Sequence, residues 1–552
     1  MSTLSLPPNW DFRLDLLVLV GSQSAEVARM LWAKGQERLY VVALERDPIL
    51  PAEVPCVPTP SELFFPIVSA KGPKAQNIIV HLTGESTQDQ GLSEAVVKIT
   101  REAIRSREAQ AITLHRNGAT WLSQGLANMP ALARFPAVST LFNKFEGRTA
   151  IVCAPGPSLS DAIPHLRANR SGCLIIAVSH ALHSLKRSGI SPDIVLAADP
   201  GNLDRHFTGV EMDDVGAMVV AVTSRASLFE VSARSHFHFA GNGQIDDWLY
   251  RSVDVNAHLP SGGSVTCSAA SLALKMGCRR IVFCGLDLSF PKGRFYASES
   301  LDGDARVQEE NGKFFLRKEA GAEGSSYTLP DGGLRFSADQ KVEIIPSADG
   351  KTVSSSAALC VYRTWFEALA QSLRGEIVFV QTSRHGAYID GFEHNPIQGE
   401  AERAPRADQD FGSVVAQVTN EHDSAAVGEQ VRAYFAPVLA LLPDVADLTR
   451  ALSSFAAKVA SNPELLPDLQ RGEQELSQAM SRLELLQVVT HRDMQQAEED
   501  ARHGKTLADN MRASRRIFGA IERAARLAEL PLADALKELD AVLSGDPATK
   551  AA

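Results

Sequence analysis

The most constraining feature of this sequence is an alternation of short apolar runs with helical patterns between residues 130 and 400. Parallel strands covered by helices on both faces appear in a sequence as continuous apolar runs. The runs with this character are "TAIVCA", "CLIIAVS", "DIVLAAD", "AMVVAVT", "RIVFCGLDL" and "EIVFVQT". Segments with helical spacing, such as "SLSDAIPHLRAN", separate them. The alternation predicts a doubly wound α/β domain over residues 129–398.

A smaller unit with the same pattern precedes it over residues 1–128. "DLLVLVG", "RLYVVALE" and "NIIVHLTG" have the character of buried strands, and "SAEVARMLWAK" has helical spacing. We expect a second Rossmann-like domain here. Glu45 ends the second strand, but Gly21 is the only one of the three glycines that a dinucleotide fingerprint needs. No dinucleotide site is expected.

The last part of the chain, residues 415–552, changes character because its strand signals disappear. Apolar residues recur there at helical spacing, as shown by Leu469, Leu476, Met480, Leu483 and Leu486. This pattern predicts an all-α domain. Residues 399–414 are predicted to be a linker, and the polar, glycine-rich insertion 298–340 is predicted to be a mobile loop or lid.

Composition limits the possible partners and the location. The net charge of -11 disfavours non-specific binding to nucleic acid, which requires cationic side chains. The seven cysteines are odd in number and contain no CxxC, which favours a reducing compartment. The sequence shows no signal peptide, and no run reaches the ~18 apolar residues of a membrane helix. We therefore expect a soluble, cytoplasmic protein.

The stretch "IVCAPGPSLSDAI" is the first candidate ligand site. Gly156 permits close approach of a backbone, and Pro157 stiffens the turn. Ser158 lies at the start of the following helix, where free N–H groups favour an anion. Two interpretations remain open at this point: a plain strand-to-helix turn and a cradle for a phosphate.

Two further segments favour a nucleotide. "LPSGGSV" places Ser261, Gly262 and Gly263 in a tight turn before a helix, and "IVFCGLDLSF" ends a strand at Gly285 with Asp287 beyond it. Turns of this kind at the carboxyl ends of parallel strands are where open α/β sheets bind ligands. Asp287 is a candidate for hydrogen bonds to ribose or base.

Asp199, at the end of "DIVLAAD", is a similar candidate. "DGKTVSSS" is not a P-loop, because the first glycine of that motif is replaced by Ile345.

These motifs carry a resemblance. "APGPSL", "SGISPDIVLAADP", "SGGSV", "GLDLSF" and "TWFEALAQSLRGEIVFVQTSRHGAYIDG" resemble, in this order, the central domain of the motility-associated factor (Maf) family. Its members are implicated in glycosylating flagellin with nonulosonic, sialic-acid-like sugars such as pseudaminic acid, a step in flagellum assembly and motility. The resemblance covers about residues 130–395.

The same domain is similar to bacterial sialyltransferases that use CMP-sialic acid, so the resemblance implies a GT-A/sialyltransferase-like fold. It implies a CMP-sugar site formed by Gly156, Pro157, Ser158, Ser261, Gly262, Gly285 and Asp287, and Ser179, Asp199 and Gly263 are our further candidate contacts to the nucleotide. Tyr296 matches a tyrosine that assists the leaving phosphate. Pro155, Ser179 and Ser289 depart from the asparagines and the tyrosine usual at those positions.

The implied reaction is glycosyl transfer with inversion, in which a Ser or Thr hydroxyl of flagellin attacks and CMP leaves. His180 is our candidate general base, and His183 and His258 are the alternatives. Asp302-Gly303-Asp304 has the Asp-x-Asp pattern of metal-dependent glycosyltransferases, but the resembled sialyltransferases need no metal. No cofactor and no metal are expected, and the expected partners are flagellin and a CMP-nonulosonic acid.

Two other functions remain open. The central domain also resembles 6-hydroxymethylpterin pyrophosphokinase-like proteins, which transfer a diphosphate from ATP with magnesium held by carboxylates. Asp199 and Asp287 are the candidates for that role. The other function is non-catalytic: a flagellin-binding assembly factor that keeps a degenerate nucleotide fold, which the departures at Pro155, Ser179 and Ser289 favour.

Overall fold

The fold is described from a computed structural model of the 552-residue chain. It describes residue 4 and residues 6–8, 10–13, 15–68, 78–84, 86–168, 172–241, 243–253, 255–310, 313–317, 333–335, 342–397, 411–503 and 506–544. Within these ranges, no helix combines the length and the apolar character needed to cross a membrane.

The first domain contains a parallel four-stranded sheet in the order β3-β2-β1-β4. Its strands are β1 (Leu16–Val20), β2 (Leu39–Val42), β3 (Cys56–Val57) and β4 (Ile78–Leu82), with helices α1 (Ser24–Trp32) and α2 (Phe64–Val68). Every residue of β1 is buried, as its uninterrupted apolar sequence predicts. The Rossmann-like character expected of this segment is confirmed.

A 41-residue helix, α3 (Thr87–Ala127), follows β4. Ser86 caps it by accepting a hydrogen bond from the backbone N–H of Asp89 at 3.0 Å. The helix first packs on α2 and β4 and then extends to the helices at the far end of the chain. The sequence analysis did not predict this element, which joins the first domain to the last.

The central domain contains eight parallel strands. They run in the order β17-β16-β10-β5-β6-β7-β8-β9. Six of them are β5 (Thr149–Cys153), β6 (Cys173–Val178), β7 (Ile194–Ala197), β8 (Ala217–Ala221), β10 (Arg280–Cys284) and β16 (Val378–Gln381), which match the six predicted strands. The other two are β9 (His236–Phe239) and β17 (Glu393–His394), and the sequence analysis missed both because neither is a continuous apolar run.

Helices cover this sheet on both faces. They are α4 (Met129–Arg134), α5 (Ser158–Ala168), α6 (Leu182–Arg187), α7 (Gln244–Tyr250), α8 (Val265–Lys275) and α9 (Ala357–Ser372). β5 pairs with β6 on one side and with β10 on the other, so successive strands proceed in opposite directions from β5. The boundary between β5 and β10 is therefore the topological switch point, where open α/β sheets bind ligands.

The polar insertion after β10 is partly ordered into strands, which corrects the prediction of a loop over residues 298–340. β11 (Arg306–Glu310), β12 (Lys313–Arg317) and β13 (Gly333–Arg335) form an antiparallel sheet. The rest of that insertion beyond residue 310 lies outside the described residues. The "DGKTVSSS" segment contributes to a hairpin of β14 (Val342–Pro346) and β15 (Thr352–Ser356), consistent with its rejection as a P-loop.

The described residues after 410 are helical, which confirms the predicted all-α region. The helices are α10 (Phe411–Asn420), α11 (Ser424–Val459), α12 (Leu466–Met480), α13 (Glu484–His503) and α14 (Leu507–Leu543). All five apolar residues singled out from the sequence are buried. The proposed linker, residues 399–414, falls largely on residues 399–410, outside the described residues.

The helical region packs directly on the central domain. The Phe435 ring of α11 meets the Trp248 ring of α7 edge to face, with 4.9 Å between the ring centroids. Phe435 is fully buried and Trp248 is 2% exposed. Aromatic pairs in this geometry contribute more than their buried area alone.

We expect Phe435→Ala to lower the free energy of unfolding by about 3–5 kcal/mol, because it removes a ring from a close-packed contact between two domains. Chemical denaturation followed by circular dichroism measures the loss. Leu530→Ala, at a position 67% exposed on α14, is the control and should change stability by less than about 0.5 kcal/mol. Equal effects of the two substitutions would contradict this packing.

Candidate functional site

At the switch point, backbone pairing between β5 and β10 continues into the loops that follow them. The N–H of Ala154 donates to the carbonyl of Cys284 at 2.8 Å, and the N–H of Gly156 donates to the carbonyl of Gly285 at 2.9 Å. A Cβ on Gly156 would overlap the carbonyl oxygen of Gly285. The glycine is therefore needed for the approach of one loop to the other, whatever ligand binds nearby.

Asp287 joins the same two loops through its side chain. One carboxylate oxygen accepts from the backbone N–H and the hydroxyl of Ser158, both at 2.9 Å. The other oxygen accepts from the hydroxyl of Ser383. Asp287 is 3% exposed, and burial raises the pKa of its carboxyl, while these hydrogen bonds partly offset the effect.

The anion at the start of α5 is thus a carboxylate of the protein itself. The N–H groups of Leu159 and Ser160 also donate within the protein, to the carbonyls of Gly156 and Pro157 at 3.0 and 3.3 Å. Phosphate binding at this turn stays a prediction, and it requires that Ser158 exchange Asp287 for the ligand.

The loop after β10 packs on the loops that follow β5, β6 and β7. The N–H of Ala297 donates to the carbonyl of Pro155 at 2.9 Å. Tyr296, beside it, stacks on His180, with ring centroids 4.2 Å apart and planes inclined by 21°. The two residues predicted to be catalytic are therefore in contact, although 116 positions separate them in the sequence.

Asp302 lies at the centre of this contact and is 4% exposed. The guanidinium of Arg205 donates to both of its oxygens, at 2.8 and 3.4 Å. His180 Nε2 lies 3.3 Å from one of these oxygens. The Asp-x-Asp motif therefore contributes its first acid to an ion pair with Arg205, a cation that opposes binding of a metal ion at the same oxygens.

Two further groups complete the cluster around His180. His206 Nδ1 lies 3.1 Å from the hydroxyl of Ser179, and its ring centroid is 4.7 Å from that of His180. Burial, with the nearby charges of His180 and Arg205, lowers the pKa of His206 to about 3, so this ring is neutral near pH 7. Ser179, a predicted nucleotide contact, is buried and faces His206.

The second glycine turn packs against α9. Gly262 has a φ of +49°, and a Cβ there would lie 2.5 Å from the Trp365 ring. Gly263, with a φ of +89°, faces Tyr362. Ser261 accepts a hydrogen bond from the N–H of Ser264, which in turn caps α8. The turn lies at the carboxyl edge of the sheet because α8 runs back to the start of β10.

We expect Gly262→Ala to destabilise the fold by about 2–4 kcal/mol, since the new methyl group overlaps a buried ring. Gly189→Ala is the matched control: its φ is +72°, and a Cβ there meets nothing within 4 Å. The control should cost only about 1 kcal/mol of backbone strain. Thermal denaturation of both variants measures the difference, and a loss at Gly262 no larger than at Gly189 would refute it.

The contacts of Asp199 and His258 are with residues outside the His180 cluster. Asp199 follows β7, is exposed, and accepts from the N–H of Gly201 at 2.6 Å. His258 Nε2 lies 3.4 Å from Asp247, which is next to the buried Asp246. The structure therefore separates His258 from Tyr296, whereas His183 lies in α6 close to His180.

Burial raises the pKa of Asp246 to about 6. An acid with a raised folded pKa stabilises the fold most at low pH, and the contribution falls as pH rises from about 4 to about 6. We expect Asp246→Asn to abolish this fall, which amounts to about 3 kcal/mol at most. Unfolding free energies of both proteins at pH 4, 5, 6 and 7 test this.

Asp444→Asn is the control, because this carboxyl is exposed on α11 and is not among the groups around Asp246, so the fall should remain. Parallel stability curves for the wild-type chain and Asp246→Asn would contradict the assignment.

Sequence reasoning missed Arg205, His206 and Ser383 as members of the site. Arg205 and His206 follow β7 by several residues, at the same sheet edge as His180. That placement was a usable signal, since loops after neighbouring parallel strands meet at one edge. Ser383, after β16, had no such signal: its role depends on contact with Asp287.

Fold and site together define an α/β protein with the features of a ligand-binding doubly wound sheet. These features are the switch point, the glycine turns and the polar cluster at the carboxyl edge of the strands. Residues 123–293 match the family model described as 6-hydroxymethylpterin diphosphokinase MptE-like. This match covers part of the central domain. No curated protein matches the sequence.

Among solved structures, the chain is similar to the MAf glycosyltransferase from Magnetospirillum magneticum AMB-1. The two are 13% identical, the alignment covers 96% of this chain and 79% of that one, and the TM-score is 0.42. The family-model match agrees with one resemblance that the sequence motifs indicated, the resemblance to 6-hydroxymethylpterin pyrophosphokinase-like proteins.

Proposed function

We propose that this protein is an inverting glycosyltransferase that moves a nonulosonic sugar from a CMP-activated donor to Ser or Thr of flagellin. The observation that carries the proposal is the meeting of Tyr296 and His180 at the switch point, where the loops after β5, β6, β7 and β10 converge. The sequence motifs that resemble the Maf and sialyltransferase families support it.

The proposed roles follow from chemistry. The phenol of Tyr296 donates to the phosphate oxygen on which charge develops as CMP leaves. His180 accepts the proton of the acceptor hydroxyl. The reaction needs no cofactor, and a divalent metal is not expected. We place the protein in the cytoplasm, with flagellin and the CMP-sugar as its partners.

A diphosphokinase of the hydroxymethylpterin type is the second candidate, favoured by the family-model match over residues 123–293. That chemistry needs magnesium held by carboxylates. The oxygens of Asp287 already accept three hydrogen bonds, from Ser158 and Ser383. In the described part of the chain, no three His, Cys, Asp or Glu side chains are grouped to hold a metal ion. The donor set therefore fits this reaction less well.

A non-catalytic flagellin-binding factor is the third candidate. Two of the departures from the family pattern have side chains directed to partners within the protein. Ser179 bonds to His206, and the hydroxyl of Ser289 donates to the backbone carbonyl of Asp287 at 2.9 Å. Nucleotide binding without turnover would be the result that favours this candidate.

Calorimetric titration distinguishes the three. We expect CMP to bind in the presence of a chelator, and Ser261→Tyr to abolish binding because it places a bulky ring in the glycine turn. Binding of ATP only with magnesium would favour the diphosphokinase. Binding of neither would favour the assembly factor, and the glycosyltransferase proposal would be rejected.

Tyr296→Phe tests the chemistry. We expect it to lower kcat for transfer from the CMP-sugar to flagellin by roughly 10²-fold, because it removes one donor to the developing charge. The phenyl ring retains the stacking on His180, so CMP affinity should be unchanged. Transfer is followed by mass spectrometry of flagellin. Tyr388→Phe, at a ring stacked on His394, is the control with full activity expected; equal rates for both variants would exclude Tyr296.

A further inference from the structure

The Nε2 nitrogen of His180 is buried beside Asp302. This nitrogen is fully enclosed and has no hydrogen-bond partner of normal geometry in the described part of the chain. A buried polar atom without a partner costs about 1–3 kcal/mol, so native proteins contain few of them. The acceptor beside this nitrogen is Asp302, whose carboxylate oxygen lies 3.3 Å away. This carboxylate is the acceptor that a proton on Nε2 would face.

The ring is held in place from several sides. Tyr296 stacks on it at 4.2 Å, and the ring of His206 lies at 4.7 Å. The loop that carries Asp302 is itself fixed, because Arg187 donates to the carbonyl of Glu299 at 3.0 Å and Ser160 donates to the Glu299 carboxylate at 2.6 Å. Asp302 therefore lies beside His180 on a loop that these two hydrogen bonds hold in place.

The carboxyl of Asp302 is paired with a cation. Arg205 donates to both of its oxygens, and His206, with its lowered pKa, is neutral near pH 7. His183 on α6 also has a lowered pKa, mainly through burial, and adds no charge near neutrality. Arg187 is directed to the Glu299 carbonyl, and Arg306 donates to the carbonyls of Gly303 and Ala305. A carboxylate that faces Nε2 can accept a hydrogen bond from an Nε2 proton and has no proton to donate.

We propose that Asp302 is a positioning residue that holds His180 in the tautomer with its proton on Nε2, leaving the lone pair on Nδ1 to act as the base. This deepens the proposed glycosyl transfer and rests on it for the identity of the substrate. A carboxylate that fixes the tautomer of a catalytic histidine is a recurrent device in nucleophilic enzymes.

Bond formation and bond breaking are coupled in the proposed reaction. The acceptor hydroxyl gives its proton to Nδ1 while its oxygen forms a bond to the anomeric carbon. The bond from that carbon to the phosphate oxygen breaks, and CMP leaves with the electron pair. The resulting imidazolium keeps its Nε2 proton, and Asp302 stays a carboxylate that stabilises the positive charge.

The tautomer is measured directly by long-range ¹H–¹⁵N correlation on the full-length protein with ¹⁵N-labelled histidine, and the His180 signals are assigned with His180→Gln. We expect the Nε2–H tautomer in the wild-type chain. In Asp302→Asn we expect a tautomer mixture, because an amide both donates and accepts. Asp302→Glu, which keeps a carboxylate, should restore the Nε2–H form.

Asp304→Asn is the matched control, two residues along the same loop and outside the ion pairs and hydrogen bonds of the described residues. It should leave the His180 signals unchanged. With CMP-nonulosonate and flagellin, Asp302→Asn should lower kcat by roughly 10²-fold, with KM for the donor changed by less than about threefold.

Two results separate this inference from the proposed function. An Nδ1–H tautomer in the wild-type chain overturns the inference. This measurement does not depend on whether any Asp302 variant folds. An unchanged tautomer in a folded Asp302→Asn also overturns the inference. If the tautomer responds as expected but wild-type protein transfers no sugar, the positioning role stands and the proposed reaction fails.

Discussion

The hydrogen bonds of Asp287 are the interaction on which the site depends. One buried carboxylate joins the helix after β5, through Ser158, to the loop after β16, through Ser383. Asp287 itself follows β10, the strand that lies between β5 and β16 in the sheet. An uncompensated carboxylate at this depth would be costly, so the three donors and the acid are required together. Leu288, next to it, has a φ of +48°, a strained conformation for a residue with a side chain, held by the same contacts.

Much of this architecture was predictable from sequence. The six continuous apolar runs became six strands of one parallel sheet, because burial on both faces leaves a strong local signal. Strand β9 was missed since His236 and His238 interrupt its apolar pattern. The long helix α3 was missed because its mixed surface meets different partners along its length. The insertion after β10 was mistaken for a loop because its strands are short and the first, β11, is polar.

The sequence predicted individual site residues better than it predicted the contacts between them. Glycine turns and strand ends pointed to the correct sheet edge, and Tyr296 and His180 do meet there. Hydrogen-bond partners were not accessible in the same way. No local pattern states that Asp302 pairs with Arg205, almost 100 residues away, or that Asp287 occupies the N–H of Ser158. Such pairings depend on tertiary geometry, in which an internal acid competes with any external anion for the same donors.

The helix α3 has a consequence for how the chain is made. Its partners include α14, whose residues are synthesised almost 400 positions later, and α4 also packs on that last helix. While the ribosome is still translating the C-terminal helices, the apolar faces of α3 and α4 lack their final cover. Contacts between distant parts of a chain form late and leave apolar surface exposed in the meantime. The faces of α3 and α4 that contact α14 therefore reach their final packing only once α14 has left the ribosome.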